Sequence, residues 1–180
     1  MVTKHVVVLP YDPNWAQAFR AIEAELVAAL GGLAKRIEHV GSTSVPGLWA
    51  KPIIDIDAVI EDRSLLGEAV RALGKIGYRH EGDLGIPGRE AFACEGKTHL
   101  MTHHLYVCAE DSSELKRHLA FRDYLRAHPE AIGEYSRVKR EAAELFPYDI
   151  DAYIAYKSPF IEKIYAGLGL QALSPAADRK

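Results

Sequence analysis

The chain has 180 residues, of which 48% are hydrophobic and 26% are charged, and its formal net charge is −3. This composition is ordinary for a globular domain, and it argues against an extended nucleic-acid-binding surface, which favours a basic face. Because no apolar run approaches the ~20 residues of a membrane span, and Val6–Leu9 is too short for a signal-peptide core, we expect a cytoplasmic protein that does not bind membranes.

The first two-thirds of the chain predicts a mixed sheet with two helices. Apolar residues from Trp15 to Leu30 recur at helical spacing, Asp12-Pro13 suits the start of that helix, and Gly31-Gly32 suits its end. In chain order, the predicted elements are a strand at His5–Leu9, a helix from Asp12-Pro13 to Leu30, strands at Arg36–Val40 and Pro52–Ile60, a helix at Ser64–Ile76, and strands at Tyr78–Glu81, Glu90–Cys94 and Leu100–Val107.

From Asp111 onward the pattern becomes helical. The predicted helices are Ser112–Ala127, Pro129–Leu145 and Asp151–Gly167, and the last is expected to kink or restart at Pro159. We therefore predict an α/β (α+β) fold with a mixed β-sheet core over residues 1–110. A C-terminal helical part of the same domain follows over 111–173, and a flexible tail over 174–180.

The strongest predicted strand carries two carboxylates. Side chains two apart on a strand share a face, so Asp55 and Asp57 point the same way, about 6–7 Å apart, while Ile54 and Ile56 point into a core. Two unpaired carboxylates side by side in an apolar strand would be costly to bury. A divalent cation removes that cost, and Mg²⁺ favours one or two carboxylates with phosphate oxygens completing its shell.

The loop before this strand predicts a phosphate cradle. Gly41 permits a close backbone approach, Ser42 offers a hydroxyl, and the N–H groups of a tight turn bind anions. Thr43 and Ser44 are expected to stabilise the turn. The segment is not a P-loop, because Gly-Lys-Ser/Thr is absent, and not a nucleophile elbow, because Gly-x-Ser-x-Gly is absent.

Gly-Ser followed after about a dozen residues by Asp-x-Asp resembles the signature of the polymerase-β-type nucleotidyltransferase superfamily. More narrowly, the segment from Ile37 to Ile56, IEHVGSTSVPGLWAKPIIDI, closely resembles the hallmark of the GrpB family. The resemblance extends over nearly the whole chain. Its further segments are PYDPNW from Pro10, GIPGR from Gly85, HHLYV from His103, HLAFRDYLR from His118 and YKSPFI from Tyr156.

This resemblance implies a nucleotidyltransferase-like core in which Gly41 and Ser42 hold donor phosphates and Asp55 and Asp57 bind Mg²⁺ or Mn²⁺. Superfamily members transfer a nucleoside monophosphate from a triphosphate to a hydroxyl and release pyrophosphate, with two ions stabilising the attacking and leaving oxygens. GrpB-like segments are also found attached to dephospho-coenzyme A kinase domains.

One departure from the superfamily pattern concerns the third carboxylate that active members usually carry on a neighbouring strand. The expected strand, Leu100–Val107, contains no Asp or Glu and carries His103 and His104 instead. An imidazole can act as a base, and we assign His104 as the first candidate for this third catalytic position. The acids that would remain available if the fold brought them near are Glu90, Glu110 and Asp111.

Several basic residues are candidates for phosphate contact, because a triphosphate needs cations around it. They are Lys51, Arg89, Lys139 and Lys157; for each the alternative is a solvated surface charge. His39 is left open between a site role and a backbone hydrogen bond. A zinc site at His99 and His103 is the least favoured alternative, since the segment predicts a strand and Cys108 is the only nearby thiol. Cys94 and Cys108 are expected to be reduced.

Three functions follow. The first is a Mg²⁺-dependent nucleotidyltransferase that binds a nucleoside triphosphate or a related phosphorylated small molecule. The second is a non-catalytic nucleotide- or coenzyme-binding module of the GrpB type, which keeps the metal pair but lacks the third acid. The third is an interaction domain that retains only the fold. Release of pyrophosphate separates the first from the second, and metal-dependent ligand binding separates both from the third.

Overall fold

A five-stranded mixed sheet forms the centre of the protein, whose computed structural model describes residues 5–170. The strands are β1 (Ala34–Val40), β2 (Ile54–Ile60), β3 (Tyr78–Gly82), β4 (Glu90–Cys94) and β5 (His103–Ala109). Their order across the sheet is β1-β2-β5-β4-β3. Strands β2 and β5 run parallel, and every other neighbouring pair is antiparallel.

Two helices cover one face of this sheet. They are α1 (Asn14–Leu30) and α2 (Leu66–Lys75). The main hydrophobic core lies between them and the sheet; its fully buried members include Ile22 and Leu26 of α1 and Ile54 and Ile56 of β2. Because side chains alternate along a strand, Asp55 and Asp57 face the opposite side, as the sequence pattern predicts.

Three helices form the C-terminal third. They are α3 (Ser113–Ala127), α4 (Pro129–Leu145) and α5 (Ile150–Gly167). A second core joins them to the loop after β1, because Val45 and Leu48 are fully buried against Leu125, Tyr135 and Ile164. The Trp49 backbone N–H donates to Ser136 Oγ of α4 at 3.1 Å. The helical third is thus packed on the loop that follows β1 as well as on itself.

The predicted elements differ from the structure mainly at their ends. No strand forms at His5–Leu9: Leu9 makes a single antiparallel bridge to Ala50, and Val6 N–H donates to the Pro147 carbonyl at 2.8 Å. A strand there was therefore a wrong prediction, because pairing stops after one residue. Strand β5 begins at His103 and not at Leu100. Helix α5 continues through Pro159.

Three further observations bear on the predictions for the chain as a whole. Within residues 5–170 no helix is long and apolar enough to cross a membrane. Both cysteines are free thiols; Cys108 is buried and Cys94 partly buried, and burial raises the pKa of each. The tail predicted at 174–180 lies outside the described residues.

Candidate functional site

The sheet register brings the predicted phosphate loop, the first carboxylate and a histidine together. In the antiparallel pair of β1 and β2, Val40 lies opposite Asp55, so Gly41 and Ser42 leave β1 beside Asp55. In the parallel pair of β2 and β5, Asp55 lies opposite His104. His104 Nδ1 is 3.0 Å from Asp55 Oδ1. The predicted cluster of loop, carboxylate and histidine is therefore a contiguous surface at one end of the sheet.

Gly41 fits tightly against the Asp55 carboxylate. Its backbone has φ +68° and ψ −171°, a conformation that residues with a side chain rarely adopt. A Cβ built at this position would collide with Oδ2 and Cβ of Asp55. The sequence predicts a glycine that permits close approach, and the group that approaches it in the structure is the Asp55 carboxylate.

The loop from Ser42 to Ser44 forms a single 3₁₀ turn fixed by its own hydroxyl groups. Ser44 Oγ donates to the Gly41 carbonyl at 2.5 Å, and Thr43 Oγ1 donates to the Ile53 carbonyl at 3.1 Å. Thr43 and Ser44 are buried, so they stabilise the turn, as predicted, and Ser42 remains beside the pocket.

Asp57 is held differently from Asp55. It is fully buried, and its Oδ2 lies 2.7 Å from His118 Nδ1 of α3. Burial opposes protonation of His118, but the hydrogen bond to Asp57 and the negative charges of Asp57 and Glu114 outweigh it and raise the pKa of His118. Asp57 Oδ1 is buried without a hydrogen-bond partner among the described residues.

A pocket of about 190 Å³ opens beside Asp55. Its lining gathers six residues that the sequence analysis selects: Ser42, Lys51, Asp55, His104, Lys139 and Lys157. Helix α5 adds Tyr153 and Ile154, and the segment before β2 adds Ile53. The three lysines come from three separate parts of the chain, so only the tertiary structure places their ammonium groups around one cavity.

These three lysines are desolvated by burial, and the negative charge of Asp55 acts on each of them. Within residues 5–170 none of them forms an ion pair; Lys139 Nζ donates to Ser42 Oγ and, at 3.1 Å, to the Trp49 carbonyl. Burial lowers the pKa of Lys51, and burial together with the charge of Lys157 lowers the pKa of Lys139 well below its ordinary value. Burial and the charge of Lys51 lower the pKa of Lys157 to about 8.

Arg89 does not line this pocket. Its guanidinium lies 4.2 Å from the centre of the Tyr106 ring, on the Asp57 side of the face, and its Nε is buried without a hydrogen bond among the described residues. Arg89 therefore lies outside the pocket of the three lysines, on a loop that approaches β5 two residues farther along than His104, and its contact with a phosphate stays a prediction.

His103 and His39 are held by contacts away from the lining of the pocket. His103 points to the opposite face, where its Nε2 meets the Tyr78 hydroxyl at 2.7 Å. His39 stacks on Phe19 with 4.7 Å between ring centres, and burial lowers its pKa to about 4. The zinc alternative fails because His99 contacts Glu25 and His103 is held by Tyr78, away from Cys108.

None of the three acids that the sequence analysis names takes the third catalytic position. Glu90 binds Arg63 and His80, Glu110 binds Arg36 at the far end of the sheet, and Asp111 lines a separate small cavity beyond β5. His104 is the β5 side chain beside Asp55, which leaves an imidazole where the superfamily pattern has a carboxylate.

Helix α3 contributes residues that the sequence analysis did not select as site residues. Glu114, His118, Arg122 and Arg126 are spaced by four, so they form one stripe along the helix. Arg122 Nη1 donates to Glu38 Oε2 and to the His39 carbonyl at 2.7 and 3.1 Å. Arg126 donates two hydrogen bonds, of 3.0 and 2.7 Å, to the Ser44 carbonyl. The four-residue spacing of charges was the available signal.

Asp55 and, among the described residues, the unpartnered Oδ1 of Asp57 are the carboxylate groups that could hold a cation arriving with a phosphate ligand; Asp55 lines the pocket, and Asp57 is fully buried outside its lining. Asp55 is 31% exposed at its side chain, and Asp57 Oδ1 lacks a partner among the described residues. Within the described part of the chain no group of three or more His, Cys, Asp or Glu side chains is arranged to hold an ion. Mg²⁺ is commonly held by one or two carboxylates plus substrate phosphates, which is the donor set available here.

Sequence comparison matches residues 5–167 to the family model described as GrpB protein. YqkA of Bacillus subtilis is 37% identical over 163 residues, which cover 88% of this chain and 46% of that protein. The glutamate-rich protein GrpB of Alkalihalophilus pseudofirmus is 32% identical over 162 residues, which cover 88% of this chain and 93% of that protein. A dephospho-CoA kinase of Mycolicibacterium paratuberculosis is 31% identical over 183 residues, which cover 89% of this chain and 45% of that protein. The chain thus spans about half the length of two of these relatives.

Structural comparison agrees. The crystal structure of the conserved protein GrpB from Enterococcus faecalis has a TM-score of 0.77 and 31% identity, covering 91% of this chain and 99% of that one. The poly(U) polymerase Cid1 with bound MgGTP has a TM-score of 0.54 and 9% identity over 76% of this chain and 44% of that one. Terminal uridylyl transferase 4 from Trypanosoma brucei with bound CTP has a TM-score of 0.51 and 11% identity, covering 89% of this chain and 53% of that one. The nucleotidyltransferase-like fold is confirmed.

Proposed function

This chain belongs to the GrpB family, and on that premise we propose that it binds a nucleoside triphosphate together with Mg²⁺ or Mn²⁺ and transfers the nucleoside monophosphate to a hydroxyl group. The single observation that carries the proposal is the pocket in which Lys51, Lys139 and Lys157 surround Ser42 and Asp55 and form no ion pair among the described residues. Desolvated ammonium groups favour a bound anion, which stabilises their protonated forms.

In this proposal the polyphosphate chain lies against the three lysines and Ser42. Asp55 and Asp57 would hold the cation, which supplies neutralisation of phosphate charge when bound. Catalysis would then depend on positioning and on electrostatic stabilisation of the charge that develops on the phosphates.

His104 is the proposed base. Its Nδ1 faces Asp55 Oδ1 at 3.0 Å, which fixes the ring and leaves Nε2 free to accept a proton. In the transfer step the acceptor oxygen bonds to the α-phosphorus, the bond from that phosphorus to the bridging oxygen breaks, pyrophosphate leaves, and the hydroxyl proton moves to Nε2. The side chain of His104 is 50% exposed, so an acceptor can reach it.

The second candidate is a non-catalytic nucleotide- or coenzyme-binding module. It is favoured by the third catalytic position, where β5 offers His104 and where no acid lies among the described residues. The relative named dephospho-CoA kinase, of which this chain spans 45%, suggests a coenzyme as the ligand of such a module.

The first test is thermal unfolding with and without Mg²⁺ or Mn²⁺ and each common nucleoside triphosphate. A ligand at 100 times its dissociation constant stabilises the fold by about 2.7 kcal/mol, which raises the midpoint by about 5–10 °C for a chain of this size. We expect such a shift in the wild type and its loss in Asp55→Asn. Asp151→Asn, an exposed aspartate on α5, serves as the matched control that retains the shift.

Absence of a shift with any triphosphate, in the presence of either metal, would contradict nucleotide binding. Where the shift is seen, pyrophosphate release with hydroxyl acceptors separates the two candidates. Release that His104→Ala abolishes while the thermal shift persists supports transfer with His104 as base. A thermal shift without pyrophosphate release across acceptor classes supports the binding module.

A further inference from the structure

We propose that the pocket recognises the polyphosphate chain and not the base, so that nucleoside triphosphates of any base, and inorganic tripolyphosphate itself, bind with similar affinity. The inference rests on the proposed function and specifies the chemical class of its ligand. It follows from the charge, the size and the lining of the pocket.

The charge of the pocket matches a polyanion. The side chains of Lys51, Lys139 and Lys157 all line it, and Asp55 is the one acidic side chain in the lining. Lys139 is 2% exposed, and its Nζ is held in place by Ser42 Oγ and the Trp49 carbonyl. A fixed, buried ammonium flanked by two others favours several phosphates in a row over a single negative charge.

The size of the pocket fits only part of a nucleotide. Sites that bury most of a drug-sized ligand enclose about 300–1,000 Å³. This pocket encloses about 190 Å³, so a phosphate chain fills it and the nucleoside extends outward past the partly exposed His104 and Ile154. Binding energy from enclosed contacts is therefore confined to the phosphates.

The lining offers little that could identify a base. Proteins read base edges with paired donors and acceptors, usually Asn, Gln or Arg, and they stack base faces on exposed aromatic rings. None of the nine lining residues is Asn, Gln or Arg, and the Tyr153 ring is 1% exposed. Lys51 and Lys157 lie 5.7 and 5.2 Å from the centre of that ring, so it is covered by the same cations that would bind phosphate.

The experiment measures dissociation constants for ATP, GTP, CTP, UTP and sodium tripolyphosphate by calorimetry in excess Mg²⁺. We expect all five within about threefold of one another. Lys157→Gln should weaken all five by the same factor, on the order of tenfold to a hundredfold for a lost charged hydrogen bond. Lys163→Gln, on an exposed position of the same helix, is the matched control and should leave all five unchanged.

Each outcome has a distinct meaning. A single nucleotide that binds more than tenfold tighter than tripolyphosphate would overturn the inference and leave the proposed function standing. An unequal effect of Lys157→Gln among the five ligands would also contradict recognition through the phosphates. If tripolyphosphate and all four nucleotides fail to bind, both the inference and the proposed function are wrong. Tripolyphosphate binding without nucleotide binding would contradict the proposed function and also the similar affinities that the inference requires.

Discussion

At the scale of single residues, Gly41 shows how one missing side chain shapes the candidate site. Its φ of +68° and the Asp55 carboxylate against it leave no room for a Cβ. We expect Gly41→Ala to lower the free energy of unfolding by about 1–3 kcal/mol, the usual cost of such a backbone conformation, and to weaken triphosphate binding by displacing Asp55. Chemical denaturation and calorimetry measure the two effects.

The matched control for this substitution is Gly133→Ala. Gly133 lies inside α4 with open space at its Cβ position, so alanine should stabilise the helix by about 0.5–1 kcal/mol and leave binding unchanged. If Gly41→Ala changed stability and binding as Gly133→Ala does, the close approach of Asp55 to the loop would contribute to neither.

Lys157 predicts a pH dependence of phosphate binding. Burial, with the charge of Lys51, lowers the pKa of Lys157 to about 8, so the free protein loses this positive charge as the pH rises through that value. Affinity for tripolyphosphate should therefore begin to fall as the pH rises through about 8, and Lys157→Gln should lack that decrease. A wild-type profile that is flat from pH 7 to 9 would contradict the assignment.

The same shift affects stability with the opposite sign. The folded pKa of Lys157 is below its ordinary value of 10.5, so the unfolded chain binds more protons between about pH 8 and 10.5. Below pH 8 the folded state carries the full free-energy cost of burying the protonated Lys157 side chain. This cost falls as the pH rises from about 8 to 10.5 and the buried side chain loses its proton. Without ligand, wild type should thus gain stability relative to Lys157→Gln between pH 8 and 10.

Asp57 and His118 form a pair whose separation should be costly. His118→Ala removes the hydrogen bond to a carboxylate that is fully buried, and breaking a buried pair in this way usually costs about 3–5 kcal/mol. Adding Asp57→Asn to this variant should restore part of the lost free energy of unfolding, because burying an amide costs less free energy than burying an unpaired charge. A loss below about 1 kcal/mol in His118→Ala would show that the pair contributes little.

At the scale of elements, α3 holds the loop after β1 through a stripe of charged side chains. Arg126 donates two hydrogen bonds to the Ser44 carbonyl, and Arg122 binds Glu38 and the His39 carbonyl. A helix that faces a sheet usually presents apolar residues, whereas this stripe fixes the backbone at the end of β1. We therefore interpret α3 as the element that positions Gly41 and Ser42.

Arg126→Lys tests this interpretation, because lysine keeps the charge and loses the two-pronged geometry. We expect triphosphate affinity to fall by about fivefold, which corresponds to about 1 kcal/mol, with a similarly small change in the free energy of unfolding. Arg137→Lys, on the exposed face of α4 where Arg137 pairs with Glu141 at 2.9 Å, is the control. Equal affinities for the two variants would contradict a positioning role for α3.

At the scale of the whole molecule, the helical third completes the candidate site. Lys139 and Lys157 come from α4 and α5, and Val45 and Leu48 of the loop after β1 are buried only because those helices cover them. We therefore expect the core over 1–110 and the helical part over 111–173 to fold together as one unit.

We expect the full chain to unfold in a single calorimetric transition and a fragment of residues 1–110 to show none, because it would expose the loop apolar residues and the face of β2 that carries Asp57. The fragment should also lack affinity for tripolyphosphate. Cooperative unfolding of the fragment, or a second transition in the full chain, would contradict a single unit.

The sequence by itself determined the helices, most of the strands, the shared face of Asp55 and Asp57, and the Gly41-Ser42 turn. These features are local, because side-chain periodicity and turn chemistry depend on near neighbours along the chain. The resemblance carried by the segment from Ile37 to Ile56 added the family and its fold.

Only the tertiary structure decided which distant residues meet. The parallel pairing of β2 with β5, two strands far apart along the chain, placed His104 beside Asp55, and side-chain alternation then put His103 on the opposite face. Helix packing brought His118 to Asp57 and Lys157 to the pocket, whereas the loop before β4 placed Arg89 outside it, over the Tyr106 ring. The single bridge at Leu9 likewise replaced a predicted strand, because pairing depends on a partner that the segment does not contain.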